Sequence, residues 1–281
     1  MHVFTHVTAL RTALAPLRSQ GKRIALVPTM GNLHDGHIQL VRKARECADV
    51  VVSTIFVNPM QFGPSEDLDA YPRTLAQDID KLTAVSCDML LTPSVTEMYP
   101  QGHAHHTVVS VPGLANRHCG ASRPGHFDGV ATVVSKLFHI VEPHIAVFGL
   151  KDYQQFQVIR KMVADLCMPI QLVGVETQRE PSGLALSSRN GYLTAPEKEQ
   201  AVALITTLRD MAQGLQRGVA IAALEQEALQ ALTRAGFRPD YITVCHADTL
   251  EPATEQDTSL VILAAAWMGK TRLIDNLRMT R

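Results

Sequence analysis

Two short apolar runs, KRIALVP (Lys22–Pro28) and DVVVSTIFVNP (Asp49–Pro59), show almost no alternation between polar and apolar positions. Continuous apolarity over such a length, rich in β-branched residues, predicts strands buried on both faces, as in a parallel sheet. Between them, GHIQLVRKARECA repeats apolar residues at Ile38, Val41 and Ala44/Ala48, with charge on the opposite side. That is a helical period, so the unit reads β–α–β. Further strands are predicted at CDMLLTP (Cys87–Pro93), HIAVFG (His144–Gly149) and IQLVGVET (Ile170–Thr177). DYQQFQVIRKMVADL reads as a helix, and GVATVVSKLFHIV, apolar nearly all round, as a buried one. Strands alternating with helices predict an α/β fold whose parallel sheet is covered on both faces.

The pattern changes after Thr177. QREPSGLALSSRNG carries the Gly, Ser and Pro of a loop. Two alanine-rich helices are predicted next, about Pro196–Arg217 and Ile221–Ala235, then short strands at YITVCHA, LVILAAAWMG and TRLIDNLRM with a turn at Gly269-Lys270. The chain therefore divides into an α/β unit over residues 1–177 and a smaller α+β unit over 178–281. It holds no internal repeat and no low-complexity tract.

Bulk composition excludes more than it identifies. At 281 residues the chain can bury a substantial core, and a formal charge of −1 offers no basic field for nucleic acid or an anionic membrane. No stretch reaches the ~18 apolar residues of a membrane span, and the amino terminus shows no secretory pattern. Five scattered cysteines without C-x-x-C fit free thiols in a reducing compartment, hence the cytoplasm.

Candidate chemistry gathers just past the carboxyl ends of the predicted strands. The first strand leads into Thr29, Met30 and the stretch His34–His37; the second into Asn58, Pro59, Met60 and Gln61. FGLKDYQQ supplies Lys151, Asp152, Gln154 and Gln155, and the strand ending at Thr177 leads on to Ser187, Ser188 and Arg189. In an open α/β sheet, ligands bind in the crevice outside those ends. In PTMGNLHDGHIQLV, His37 falls at a helix start, where free N–H groups and the dipole attract anions, and Gly36 removes a side chain. A metal pair would need further ligands, and zinc helices usually space histidines four apart. A phosphate site fits this order of strand, glycine and helix better than either a metal or a surface pair. The HAHH run (His103, His105, His106) lies in a Gly- and Pro-flanked stretch without partners and reads as an exposed loop.

HDGH after the first strand resembles the H-x-G-H signature of the class I nucleotidyltransferase superfamily. The ordered set PTMGNLHDGH, FVNPMQFGPSEDLDAYPRT, RPGHFDGVATVVSKLF, FGLKDYQQ, SSRNGYL, HADTLEP and GKTRLIDN resembles the pantothenate synthetase (pantoate–β-alanine ligase) family over nearly the whole chain. The resemblance implies a Rossmann-like doubly wound sheet and a ligase that joins pantoate to β-alanine with ATP and Mg²⁺ through an adenylate. It implies that His34 and His37 contact the ATP phosphates and that Lys151 holds phosphate and pantoate. Ser187, Ser188 and Arg189, preceded by Leu186, would clamp the outer phosphates as a lid from the second domain. Gln61 and Gln155 would hydrogen-bond pantoate, with Asn58 and Met30 on the same side and Met30 receiving the geminal methyls. Gly149 and Asp152 would lie against ribose and adenine, Asp78 would contact Mg²⁺, and the chain would form a homodimer through its first domain.

Three positions depart from the family pattern: Leu150 stands where Glu or Gln is usual, Ser182 where Asp is common, and Gln77 replaces one of a frequent acidic pair. Competing expectations are a nucleotidyltransferase with a phosphorylated acceptor, a non-catalytic nucleotide-binding module, and a histidine-metal hydrolase.

Overall fold

The computed structural model describes residues 1–64 and 66–281. Six strands, β1 (His2–Phe4), β2 (Ile24–Thr29), β3 (Val50–Ile55), β4 (Met89–Leu91), β5 (Ile145–Gly149) and β6 (Gln171–Val175), form one sheet in the order β1-β4-β3-β2-β5-β6. Every pairing in it is parallel. Side chains alternate across a strand, so β2 feeds two cores. Ile24 and Leu26 enter one shared with the helices α1 (Val7–Ser19), α6 (His126–Val141) and α7 (Tyr153–Asp165). Ala25 and Val27 enter another, closed by α2 (Asp35–Cys47) and α3 (Leu75–Ala84). The short helices α4 (Val95–Met98) and α5 (Cys119–Ser122) lie in the connection between β4 and α6.

The five strands anticipated from apolar runs are present, within a few residues. The pattern does not announce β1 or α1: β1 is only three residues long, and α1 carries Pro16 inside it. The chain runs from β2 outward through β3 and β4, then returns to place β5 on the other side of β2. The segments leaving β2 and β5 therefore diverge at a topological switch point, which opens a crevice at the strand ends.

The remaining strands, β7 (Arg238–His246), β8 (Ser259–Met268) and β9 (Thr271–Thr280), make an antiparallel sheet, with the β8–β9 turn at Gly269-Lys270 as expected. Its two faces have different partners. Val244, Leu260, Ile262 and Ala264 join a core with α9 (Ala203–Gln216) and α10 (Ile221–Arg234). Cys245, Val261 and Leu263 instead enter the core of α6 and α7, so the antiparallel sheet is packed onto the larger unit. The helix expected over 196–217 is interrupted: α8 (Ala195–Ala201) ends at Val202, whose N–H turns to Gln200 O rather than to the carbonyl four residues back. Among the described residues no helix is long and apolar enough to cross a membrane.

Candidate active site

α2 begins at the two histidines, and its start is built from their rings. The Gly36 N–H donates to His34 Nδ1 at 3.2 Å, and the His34 N–H donates to His37 Nδ1 at 3.3 Å. Two otherwise unpaired amide donors of the helix end are thereby satisfied. Burial pushes His34 down to about 4, with the Lys151 charge adding to it; burial, then His34 and Lys151, push His37 down to about 3. Both rings are therefore neutral at pH 7 with Nδ1 as acceptor, which leaves the proton on Nε2. The rings stand 4.1 Å apart between centroids. A side chain on Gly36 would come within 2.9 Å of the His34 ring, so the glycine of H-D-G-H lets the first imidazole fold back onto the helix start.

The loop before them is held from α3. Asp78 is 0% exposed, and its carboxylate accepts from Asn32 N at 2.9 Å and Leu33 N at 2.8 Å, with the Thr74 hydroxyl at 3.2 Å. Lys81 donates to Leu33 O at 2.5 Å. Asn32 sits at φ 49°, an uncommon left-handed conformation that these bonds stabilise. Both oxygens of Asp78 are thus engaged inside the protein, Gln77 supplies no second carboxylate, and an ammonium lies one helical turn on. This face of α3 does not fit a magnesium ion, and the structure places Asp78 behind the site as an anchor of the histidine loop. Among the described residues no cluster of three His, Cys, Asp or Glu side chains could hold a metal.

A cleft of about 1050 Å³ opens between the parallel sheet's edge and the second unit. Its walls include Lys151, Asp152, Gln155, Ser187 and Arg189, which brings together five of the residues expected from the sequence. Met30, Asn58, Gln61, Gly149, Leu186, Ser188 and the histidines are not wall residues of that cleft, and several of them adjoin it. Ser188 Oγ donates to Asn32 O at 3.1 Å, tying the 187–189 segment to the histidine loop, and a Gly36 side chain would lie 3.7 Å from Leu186 Cβ. Gln61 O accepts from the His126 ring at 2.8 Å, and His126 and Arg123 both line the cleft.

Two further placements differ from expectation. Asn58 is 1% exposed and all of its amide bonds run within the protein, to Met60, Gly129, Tyr99 and Gln61, so it stands behind Gln61 and away from any ligand. Arg189 is already paired: it donates to both oxygens of Asp67 at 2.9 and 3.3 Å, and Tyr192 reaches the same carboxylate. The Arg189 guanidinium holds the Asp67 carboxyl below its ordinary value against the opposing effect of burial. Leu150, the unusual residue at its position, is buried and packs against Gly174 of β6.

Several residues at the site carry no role in the sequence reading. Glu66 pairs with Arg123, which also contacts His126. Asn276 of β9 donates from Nδ2 to Leu150 O and Lys151 O, both at 2.8 Å, and so fixes the turn that carries Lys151. Arg179 and Asp275 form a two-bond ion pair at 2.6 and 2.9 Å that ties the segment before the 187–189 loop to β9. RPGHF contains Arg123 and His126, and RLIDN contains Asp275 and Asn276; only their spatial partners reveal what they hold.

A switch-point crevice, paired neutral imidazoles at a helix start, a nearby lysine and an arginine-bearing segment across the cleft define an α/β fold with a candidate anion site. Comparison with known proteins makes the class particular. The family model of pantoate-beta-alanine ligase matches residues 2–278, and the chain belongs to that family. It is 58% identical to pantothenate synthetase of Shewanella oneidensis over 276 residues, 98% of each chain, and 58% identical to that of Stutzerimonas stutzeri over 278 residues, 99% of this chain and 97% of that one. The pantothenate synthetase structure from Thermus thermophilus superposes with a TM-score of 0.93 at 44% identity, covering 99% of both chains. The pantoate-beta-alanine ligase of Francisella tularensis, solved in complex with β-γ ATP and β-alanine, gives a TM-score of 0.84 at 36% identity over 99% of this chain and 97% of that one.

Proposed function

We propose that the enzyme joins pantoate to β-alanine in two half-reactions. A pantoate carboxylate oxygen attacks the α-phosphorus of ATP, the bond to the bridging oxygen breaks, and pyrophosphate leaves with that electron pair. The β-alanine amine then attacks the acyl carbon of pantoyl adenylate, loses a proton, and AMP departs. The observation that carries this reading is the pair of neutral histidines whose Nδ1 atoms are bound to backbone N–H groups. Their Nε2–H groups are fixed donors, able to stabilise charge that grows on the phosphate oxygens in the transition state. Neutral rings also leave the positive charge to Lys151, which offsets the repulsion between carboxylate and triphosphate.

In this reading Gly149, Asp152 and Leu186 border the nucleotide, while Gln61, Gln155 and Met30 receive pantoate. Ser187, Ser188 and Arg189, from the 178–281 unit, close over the outer phosphates, with Arg189 exchanging Asp67 for phosphate. Mg²⁺ travels with the phosphates of ATP, with no protein carboxylate assigned to it. Binding of ATP and β-alanine is supported by the Francisella relative, whose structure holds both. Scattered free thiols support a cytoplasmic setting, and family membership supports a homodimer.

Pyrophosphate–ATP isotope exchange with pantoate and Mg²⁺, without β-alanine, tests the proposal. Exchange that depends on pantoate is the expected result. Net ligation without exchange would mean a concerted or ordered mechanism or trapped pyrophosphate, and neither exchange nor ligation would sink the assignment.

A further inference from the structure

Around Gln61 the direction of each hydrogen bond is forced by the backbone. The Met60 N–H can only donate, and it meets one terminal atom of Asn58 at 3.3 Å; the Gly129 carbonyl can only accept, and it meets the other at 3.0 Å. Asn58 must therefore turn Oδ1 toward Met60 and Nδ2 toward Gly129. The Tyr99 hydroxyl, 2.8 Å from that Oδ1, has to donate to it. Burial pushes the Tyr99 phenol well above its ordinary value, so the proton it donates stays in place at any working pH. Asn58 Nδ2 also reaches Gln61 at 3.2 Å, which commits the Gln61 carbonyl oxygen as an acceptor. The Gln61 amide NH₂ is left pointing the other way, toward Met30 Sδ at 3.1 Å, a weak acceptor that a ligand oxygen can replace.

Tyr99, Asn58 and Gln61 are 2%, 1% and 8% exposed, so water cannot readily substitute for any link. Gly129 makes the arrangement possible. A Cβ there would lie 2.3 Å from Met60 O and 2.7 Å from Gln61 N, so α6 comes this close to the Asn58–Gln61 turn only as glycine.

We infer that Tyr99 is a positioning residue for acid recognition: through Asn58 it holds Gln61 as a hydrogen-bond donor, so that at this point the site accepts only a substrate oxygen with a free lone pair. The inference narrows the pantoate site and rests on that reading. The Gln61 carbonyl oxygen is turned toward Asn58 within the protein, which leaves the NH₂ to face the substrate.

Two substitutions test it, each assayed by pantoate-dependent exchange and by steady-state ligation. Tyr99→Phe should raise the KM for pantoate about three- to tenfold, the worth of one buried neutral hydrogen bond, with the KM for ATP and kcat held within about twofold. A purely structural tyrosine would shift both KM values and kcat together. Gln61→Glu keeps the acceptor toward Asn58 but turns a carboxylate oxygen toward the substrate in place of NH₂. It should respond to pantoate far less than Gln61→Ala does. An unchanged pantoate KM in a folded Tyr99→Phe enzyme, or a Gln61→Glu enzyme that equals or exceeds Gln61→Ala, would overturn the inference. If Tyr99→Phe fails to fold, the comparison at Gln61 decides alone. Absence of both pantoate-dependent exchange and net ligation in the unsubstituted enzyme would instead sink the substrate assignment itself, so the two failures are told apart.

Discussion

Asn276 lies on β9, far from the histidines in sequence, yet it holds the turn that presents Lys151. Its Nδ2 donates at 2.8 Å to both Leu150 O and Lys151 O, and the side chain is 7% exposed. Asn276→Ala removes the side-chain donor from both carbonyls. Leu150 is buried while Lys151 is half-buried, so water can repair only the second. Two lost neutral bonds cost about 0.5–1.5 kcal/mol each, giving a total of roughly 1–3 kcal/mol. At about 2–4 °C per kcal/mol for chains near this size, the melting temperature should fall by about 2–12 °C. Asn276→Asp preserves shape but sets carboxylate oxygen against two carbonyl oxygens, so it should be less stable than the alanine variant despite being nearly isosteric. If the turn shifts by an ångström, Lys151 is misplaced and pyrophosphate exchange should drop about 10²-fold. The assays are thermal unfolding and exchange rate at saturating ATP and pantoate. An Asn276→Asp enzyme as stable and as active as the native one would refute the clamp.

Other outcomes follow from the same geometry. His37→Ala should reduce adenylate formation about 10²–10³-fold, the usual loss for one preorganised donor; near-native exchange in a folded variant would remove the ring from the reaction. Asp67→Asn frees the Arg189 guanidinium and should lower the KM for ATP about two- to fivefold, since a partly exposed ion pair is worth little; an unchanged or higher KM would mean the pair does not compete with phosphate. Acid should destabilise the enzyme through its buried histidines. His34 and His126 are held at about 4 and His37 at about 3, against an ordinary 6.5, so the unfolded chain takes up these protons first. Stability is thus full above pH 6.5 and falls as pH drops toward 4. Urea midpoints at pH 7 and pH 5 check this, and equal midpoints would contradict burial of neutral rings.

Much of the fold was legible in the chain because burial on both faces leaves uninterrupted apolar runs, and the helix after β2 shows its period openly. H-D-G-H was legible as a candidate anion site because strand, glycine and helix start are neighbours in sequence. Elements that break the rules of length and composition were not: β1 has three residues, and α1 contains a proline. The roles of Asp78 and Asn58 changed for a different reason. Each looked like a ligand contact by position past a strand or on a charged helix, and each turned out to be saturated by backbone groups such as Leu33 N–H and Gly129 C=O. Which nitrogen of each histidine carries its proton, which end of the Gln61 amide faces a substrate, and whether Arg189 is free are likewise set by partners that only folding delivers. Asp67 and Asn276 stand more than a hundred residues from the groups they hold. Local sequence encodes the residue types and the elements that carry them. Hydrogen-bond direction and charge pairing depend on distances of about 3 Å, and between segments remote in the chain those distances exist only in the tertiary structure.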